Sequence, residues 1–353
     1  MSQYCYSCLK VSSAQYCKKC ATALFGTYTP PEQLSFIPNQ LMPSEANRYK
    51  KGLSISGVQA KYSFAFRNNI LELVQNEGRY IVKPIPNANY DYLSDMPANE
   101  HITMQIAHQV FKMKTALNAM VRLGNGELAY ITKRFDYDKL DNKLRQEDFT
   151  VLVNQTEQSY QRKLMSRAKS EEIDVTNYKY DYSVIECAKA IDDVVPSAMF
   201  TKLAFFKRIL FDFLMLNADA HLKNFSLYCE NDSDEYQFTP NYDLLNSRLH
   251  LGKLESADIA LNLFEDDETT QVYDAVGFYT YIDFQELALL MKIRPAQFKK
   301  IIQEFSKSLP AIKVLVDRSF LSDEAKRIYF EQVEKRLHQC ILYVPERYKS
   351  LVI

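Results

Sequence analysis

The stretch Leu216-Asn-Ala-Asp219-Ala-His221-Leu-Lys223-Asn224-Phe-Ser226 decides how this chain is read. It follows directly on an apolar run from Ala198 to Leu216, where Leu203, Phe206, Ile209, Leu210, Phe213 and Leu214 recur at helical spacing, so the loop hangs on the end of a core helix. Within it Asp219 and Asn224 stand five residues apart. A carboxylate so placed can take the proton of an attacking hydroxyl, and a carboxamide oxygen nearby can help hold a hard cation. Nineteen residues beyond Asn224, just past a strand-like piece, Tyr242-Asp243-Leu-Leu245 offers a second acid for the same ion. Phosphoryl transfer needs such positioned carboxylates, a metal and a cationic clamp, and little covalent help from the protein.

The clamp is found upstream. From about Leu53 the pattern is that of strands: Tyr62 to Phe66, Ile70 to Val74 and Arg79 to Lys83, separated by the hairpin signals Asn68-Asn69 and Asn76-Glu-Gly78, which predict an antiparallel meander. Lys83 ends the third strand. Asn99 to Lys112 then carries Ile102, Ile106, Ala107 and Val110 at helical spacing, with Glu100 in the expected first turn and able to pair with Lys83. Two further strands, around Ala119 to Val121 and Glu127 to Ile131, complete a small α+β lobe. After Asp136 helical periods dominate, from about Gln146 to Leu216 and again from residue 282, interrupted by strand-like pieces at Phe225 to Tyr228 and Tyr236 to Phe238. Taken singly, each of these residues has an ordinary reading as a surface lysine, a helix-terminal charge or a turn acid. Their order, lysine, glutamate, hinge, Asp-x-x-x-x-Asn and acid, is the spacing of the kinase catalytic parts.

The chain has 353 residues, 47% of them hydrophobic and 25% charged, enough for two lobes and an appendage without disulfide staples. A formal charge of −1 supplies no global basic field for nucleic acid, so any DNA contact is expected through a partner. No signal-peptide pattern and no apolar run of membrane-spanning length is seen, which predicts a cytoplasmic protein. Four of the seven cysteines fall at Cys5-x-x-Cys8 and Cys17-x-x-Cys20. Two such knuckles present four thiolates to one Zn²⁺ and close its coordination sphere, so the expected role is structural or docking; disulfide or redox pairs are the alternative. Pro30, Pro31, Pro38 and Pro43 punctuate what reads as a linker. The expected division is thus a zinc ribbon over 1–26, a linker over 27–50, a small β lobe over 51–136 and a helical lobe over 137–353.

At these residues the chain resembles the HipA-like serine/threonine kinases of bacterial toxin–antitoxin systems. The resemblance rests on Gly57-Val-Gln-Ala-Lys61, Lys83-Pro84, Lys133-Arg-Phe-Asp136, Gln146-Glu-Asp-Phe149, Asn217 to Ser226 and Tyr242 to Leu245, and covers about residues 50–345. It implies a two-lobed, protein-kinase-like fold in which Asp219 is the catalytic base and Asn224 and Asp243 hold Mg²⁺. ATP would lie against Ser56, Gly57, Val58, Gln59 and Lys61 of the phosphate loop, Lys83, His221, Lys223 and Tyr242, with Phe135 and the backbone at Lys133 facing adenine. It also implies silencing by autophosphorylation within Ser54-Ile-Ser56. Lys133 stands where the family usually has glutamate, which leaves backbone rather than side-chain contacts to adenine.

Longer members begin with a β-rich subdomain that the ribbon replaces here, so the chain looks like a short, split form. Expected partners are a protein substrate such as an aminoacyl-tRNA synthetase, a helix-turn-helix antitoxin, and a separate small protein supplying the missing subdomain. A kinase-like scaffold without activity, its ribbon docking an antitoxin or nucleic acid, is the other reading. His101, His108, His250 and His338 have no motif around them, and the tyrosines from Tyr178 to Tyr182 read as packing and solvated surface.

Overall fold

The computed structural model describes residues 4–38, 59–75, 78–167, 176–230, 233, 235–252 and 258–353. They belong to two compact units, both discontinuous in sequence. The first comprises Met1–Phe135, Pro240–Ser256 and Pro310–Phe330; the second comprises Asp136–Thr239, Ala257–Leu309 and Glu331–Ile353.

In the first unit, α1 (Lys18–Phe25) comes directly after Cys17 of the second cysteine knuckle and ends at Gly26, whose φ of 74° lets its N–H close on Thr22 O at 2.9 Å. Strands β1 (Tyr62–Arg67), β2 (Ile70–Leu73) and β3 (Tyr80–Lys83) lead to helix α2 (Met96–Gln109), then to β4 (Asn118–Arg122) and β5 (Leu128–Lys133). They form one antiparallel sheet in the order β2-β1-β3-β5-β4.

That order corrects the expected meander. Asn68 and Asn69, at φ 49° and 64°, make the first hairpin as read, but β3 returns beside β1 rather than β2. Gly78 shows why: its N–H meets Ser63 Oγ at 3.1 Å, and a Cβ there would lie 2.7 Å from both the N and O of Phe64. Only glycine lets the chain pass so close to β1. The second hairpin signal includes residues 76 and 77, which lie outside the described residues.

Helix α2 starts three residues earlier than its periodicity suggests, with Pro97 in the first turn, so Glu100 sits in the second turn. Every residue from Met96 to Ala107 is buried. A helix covered all round carries little amphipathic signal. Its polar side chains are tied to distant segments instead: Gln105 to Asn118 Oδ1 at 2.9 Å and Thr103 to the Tyr329 hydroxyl at 2.8 Å.

The ribbon read over residues 1–26 packs directly on the sheet. Met120 N donates to Tyr6 O at 2.8 Å, the Tyr16 hydroxyl to Met120 O at 2.8 Å, and the Tyr80 hydroxyl to Leu24 O at 2.8 Å. Tyr16, Phe25, Phe66 and Tyr80 form one aromatic chain, with Phe25 stacked on Tyr80 at 5.8 Å. Residues 30–36 continue along the sheet: Leu34 N bonds Arg122 O at 2.8 Å, and Phe36 packs on Tyr62 and Phe64. The prolines suppress periodic structure there, but the apolar side chains still find the sheet.

In the second unit, Arg145–Asp148, read as the start of a helical stretch, is strand β6. After it come α3 (Val184–Val194), α4 (Ala198–Leu214), β7 (Ser226–Cys229) and β8 (Gln237–Phe238), with the strands in the antiparallel order β6-β7-β8. Pairing with β7 overrides the local helical pattern, and Asp148 then caps the short helix after it by accepting from Thr150 N at 2.9 Å. Helix α4 buries Phe205, Phe206, Ile209, Leu210, Phe211, Phe213 and Leu214. Phe149, Phe205, Phe225 and Phe238 close an aromatic core beneath the small sheet, Phe205 and Phe225 meeting edge to face at 5.2 Å. Each such ring contributes about 2–3 kcal/mol by burial.

Candidate active site

Lys83 leaves the end of β3 with 3% of its surface exposed. Its Nζ lies 2.6 Å from Glu100 Oε1 and 2.5 Å from Asp243 Oδ1, while Lys61 Nζ is 3.2 Å from Asp243 Oδ2. The first unit therefore brings together four residues that are up to 182 positions apart in sequence. Burial opposes the charge on Lys83, but the Asp243 and Glu100 carboxylates outweigh it and keep the ammonium protonated. Burial likewise opposes ionisation of Asp243, yet Lys61 and Lys83 hold it well below the usual carboxylate range. Glu100 is pushed up to about 7 by burial, against the pull of Lys83.

Asp243 occupies the left-handed region at φ 52°, a strained conformation for a residue with a side chain. What holds it there is a pair of asparagines that the sequence reading missed. Asn99 Nδ2 donates to Asn246 O at 2.8 Å and Asn246 N donates to Asn99 Oδ1 at 2.9 Å, pinning the Asp243 segment to α2 one residue from Glu100. His250, read as having no role, abuts Asn99 Nδ2 through Nε2 and Asp91 O through Nδ1, both at 2.8 Å. No motif marks these residues, because their significance lies in a contact across 147 positions. Leu245 packs on Met96 in the same region. The acid-bearing segment thus belongs to the first unit, not to the helical one to which residues 137–353 were assigned.

Near the sheet end, Phe135 and Tyr242 face each other with ring centres 5.5 Å apart, and Lys133 N is held by Leu117 O at 2.8 Å. Gln59 is buried and donates to Pro84 O at 3.1 Å. Ser54, Ser56, Gly57 and Val58 lie outside the described residues.

In the second unit, α4 ends at Leu214, and Leu216 turns the chain with φ 56°. Asp212 anchors the loop that leaves this turn: it receives Asn217 Nδ2 at 2.9 Å and Arg208 Nε at 2.6 Å, with Arg208 itself only 1% exposed. Burial pushes the Asp212 carboxyl up, and Arg208 pulls it back. The loop then closes on itself, His221 N to Asp219 O and Asn224 N to His221 O, each 2.8 Å. Asp219, His221 and Asn224 are all buried, whereas Lys223 is exposed. Asn224 Oδ1 is a buried oxygen without a hydrogen-bond partner among the described residues. An oxygen left so is a ready ligand for a hard cation.

The four thiol sulfurs of Cys5, Cys8, Cys17 and Cys20 all lie within 4.8 Å of one another, and Cys8 and Cys17 are 3.9 Å apart. Tetrahedral sulfur ligands at about 2.3 Å from Zn²⁺ are about 3.8 Å apart, so the donors fit that ion. Among the described residues no helix is long and apolar enough to cross a membrane.

The chain is similar to several known proteins. A protein of Haemophilus influenzae described as a putative kinase is 26% identical over 301 residues, which is 82% of this chain and 82% of that one. The structure of HipA from Shewanella oneidensis MR-1, solved with HipB and operator DNA, superposes with a TM-score of 0.62 at 20% identity, covering 85% of this chain and 68% of that one, and shows the same α+β, kinase-like fold. The Helicobacter pylori proinflammatory kinase CtkA matches at a TM-score of 0.49 and 17% identity, covering 79% of this chain and 90% of that one. The HipA-like C-terminal domain model matches residues 53–312, and the chain belongs to that family.

Proposed function

We propose that this protein is an ATP-dependent serine/threonine protein kinase and the toxin of a HipA-like toxin–antitoxin pair. The observation that carries the reading is Lys83, buried and bonded at once to Glu100 and to Asp243. A buried lysine between two acids is costly unless its charge is used, and here it lies beside a strained acid of the kind that holds metal. Asn224 and Asp243 would hold Mg²⁺, which neutralises phosphate charge when bound. Asp243 would then exchange at least its Lys61 contact, freeing that lysine, with Lys83, for nucleotide phosphates. Asp219 accepts the proton as the acceptor hydroxyl oxygen bonds to the γ-phosphorus and the bridging P–O bond breaks, with ADP leaving as the second product. Phe135 and Tyr242, with the Lys133 backbone, His221, Lys223 and Gln59, make up the rest of the nucleotide site in this proposal.

The finer proposals are that a helix-turn-helix antitoxin carries any DNA contact, that the substrate is a translation protein such as an aminoacyl-tRNA synthetase, and that the protein acts in the cytoplasm. The HipA structure was solved with HipB and operator DNA, which supports the first. Autophosphorylation of Ser54 or Ser56 would place negative charge against the ATP phosphates; two unit charges about 5 Å apart at an effective dielectric near 20 repel by roughly 3 kcal/mol, about a hundredfold in affinity. The deciding experiment is γ-phosphate transfer by purified protein to itself and to a serine-rich acceptor with Mg²⁺-ATP. Asp219→Asn is expected to lower it at least about a hundredfold while the variant stays folded; equal transfer by the variant removes Asp219 from the mechanism. Mass spectrometry of the 53–61 peptide reports Ser54 and Ser56.

A further inference from the structure

The tyrosine-rich segment read as packing and surface lies on the catalytic loop at two points. The Tyr180 hydroxyl donates to Asp219 Oδ1 at 2.7 Å, and its ring meets His221 edge-on with centres 5.1 Å apart. Two residues before it, Tyr178 lies under Lys223, whose Nζ is 5.1 Å from the ring centre. The segment is anchored on its far side. Gln155 Nε2 donates to Asp181 O at 2.8 Å, Tyr182 N to Tyr180 O at 2.9 Å, and Ser183 with Glu186 forms the capping box that starts α3. Tyr180 is therefore aimed at Asp219 by its surroundings, and Asp219 is only 3% exposed.

An acceptor hydroxyl must donate a hydrogen bond to the base before it can attack phosphorus. That is the bond the Tyr180 phenol already makes. We propose that Tyr180 is a built-in stand-in for the acceptor: it fills the acceptor's hydrogen-bonding position on Asp219, so the resting chain closes its acceptor subsite with its own side chain. The inference rests on Asp219 being the base, as proposed above. A substrate serine or threonine has to displace the phenol and forfeit its hydrogen bond to the Asp219 carboxyl, which weakens acceptor binding about tenfold. Removing that bond should therefore appear in the acceptor KM and leave the ATP KM alone.

The test uses the full chain with Mg²⁺-ATP and dephosphorylated casein as the acceptor probe, comparing wild type with Tyr180→Phe, Tyr180→Ala and, as zero, Asp219→Asn. Tyr180→Phe keeps the ring against His221 and loses only the hydroxyl. Its kcat/KM for casein is expected to rise about tenfold through KM, with kcat and the KM for ATP unchanged; Tyr180→Ala is expected to gain at least as much. An unchanged kcat/KM overturns the proposal. So does a lowered kcat, which would make Tyr180 a residue that orients the base. If wild type and both Tyr180 variants stay at the Asp219→Asn level on casein and also in transfer to the chain itself, the catalytic reading fails, and the contact is judged by carbodiimide-driven amine labelling of Asp219. Labelling several-fold faster in Tyr180→Ala than in wild type supports the closed subsite, and equal labelling overturns it.

Discussion

Lys83, Glu100 and Asp243 illustrate how much a single side chain carries in a buried charge cluster. With Lys83 3% and Glu100 4% exposed at the side chain, removing the ammonium leaves Glu100 buried without its cation, while Asp243, 17% exposed, keeps only Lys61. Lys83→Met is therefore expected to cost about 3–5 kcal/mol in urea unfolding, less whatever Glu100 recovers by taking up a proton. Glu100→Gln, which leaves the Lys83–Asp243 pair intact, is expected to cost clearly less; equal costs would show that the three do not act as a unit. The pairing of Lys83 with Glu100 was legible from order and spacing. Asn99, whose carboxamide bonds the backbone N–H and C=O of Asn246, was not, since a side chain meeting backbone 147 positions away leaves no local trace.

Among the elements, the cysteine ribbon is the one whose place the sequence misjudged. Its four donors were read correctly as a cluster, but its backbone and aromatic side chains are built into the sheet through Tyr6, Tyr16, Leu24 and Phe25. Elemental analysis is expected to find one Zn²⁺ per chain. Stripping it with a tight chelator should lower the melting temperature of the whole first unit, because a metal held by Cys5, Cys8, Cys17 and Cys20 would fix residues that pack on β3 and β4. Deleting residues 1–38 should likewise destabilise the sheet, and an unchanged thermal transition in either case would mean that the ribbon only rests on its surface. Gly78 gives a sharper test of strand order: Gly78→Ala forces a Cβ against the Phe64 backbone and is expected to cost about 2 kcal/mol or more by thermal unfolding, whereas a cost under about 0.5 kcal/mol would contradict the close passage.

For the molecule as a whole, buried histidines work against stability at acid pH, and Glu100, raised to about 7, works the other way. Burial holds His101 at about 4, with its Nε2 2.8 Å from Ser7 O, while an unfolded histidine protonates near 6.5. Above that pH both states are neutral. Below it the unfolded chain takes up a proton that the folded chain refuses until about 4, so stability is lost as pH falls through this window. From about pH 7 to about pH 5 the loss attributable to this residue is about 2 kcal/mol, and His250, lowered by burial too, acts in the same direction. Urea titrations at the two pH values should show a smaller loss for His101→Gln; parallel losses would place the acid sensitivity elsewhere. By itself the sequence determined the pairing of Lys83 with Glu100, the two element classes and the clustering of Cys5, Cys8, Cys17 and Cys20, since spacing and periodicity are local properties of a chain. Only the tertiary structure decided that β3 lies beside β1, that α2 is buried on every side, that the ribbon shares the sheet's core and that Tyr180 reaches Asp219. Each of these depends on contacts between distant segments, where the burial and hydrogen bonds gained outweigh what the local pattern prefers.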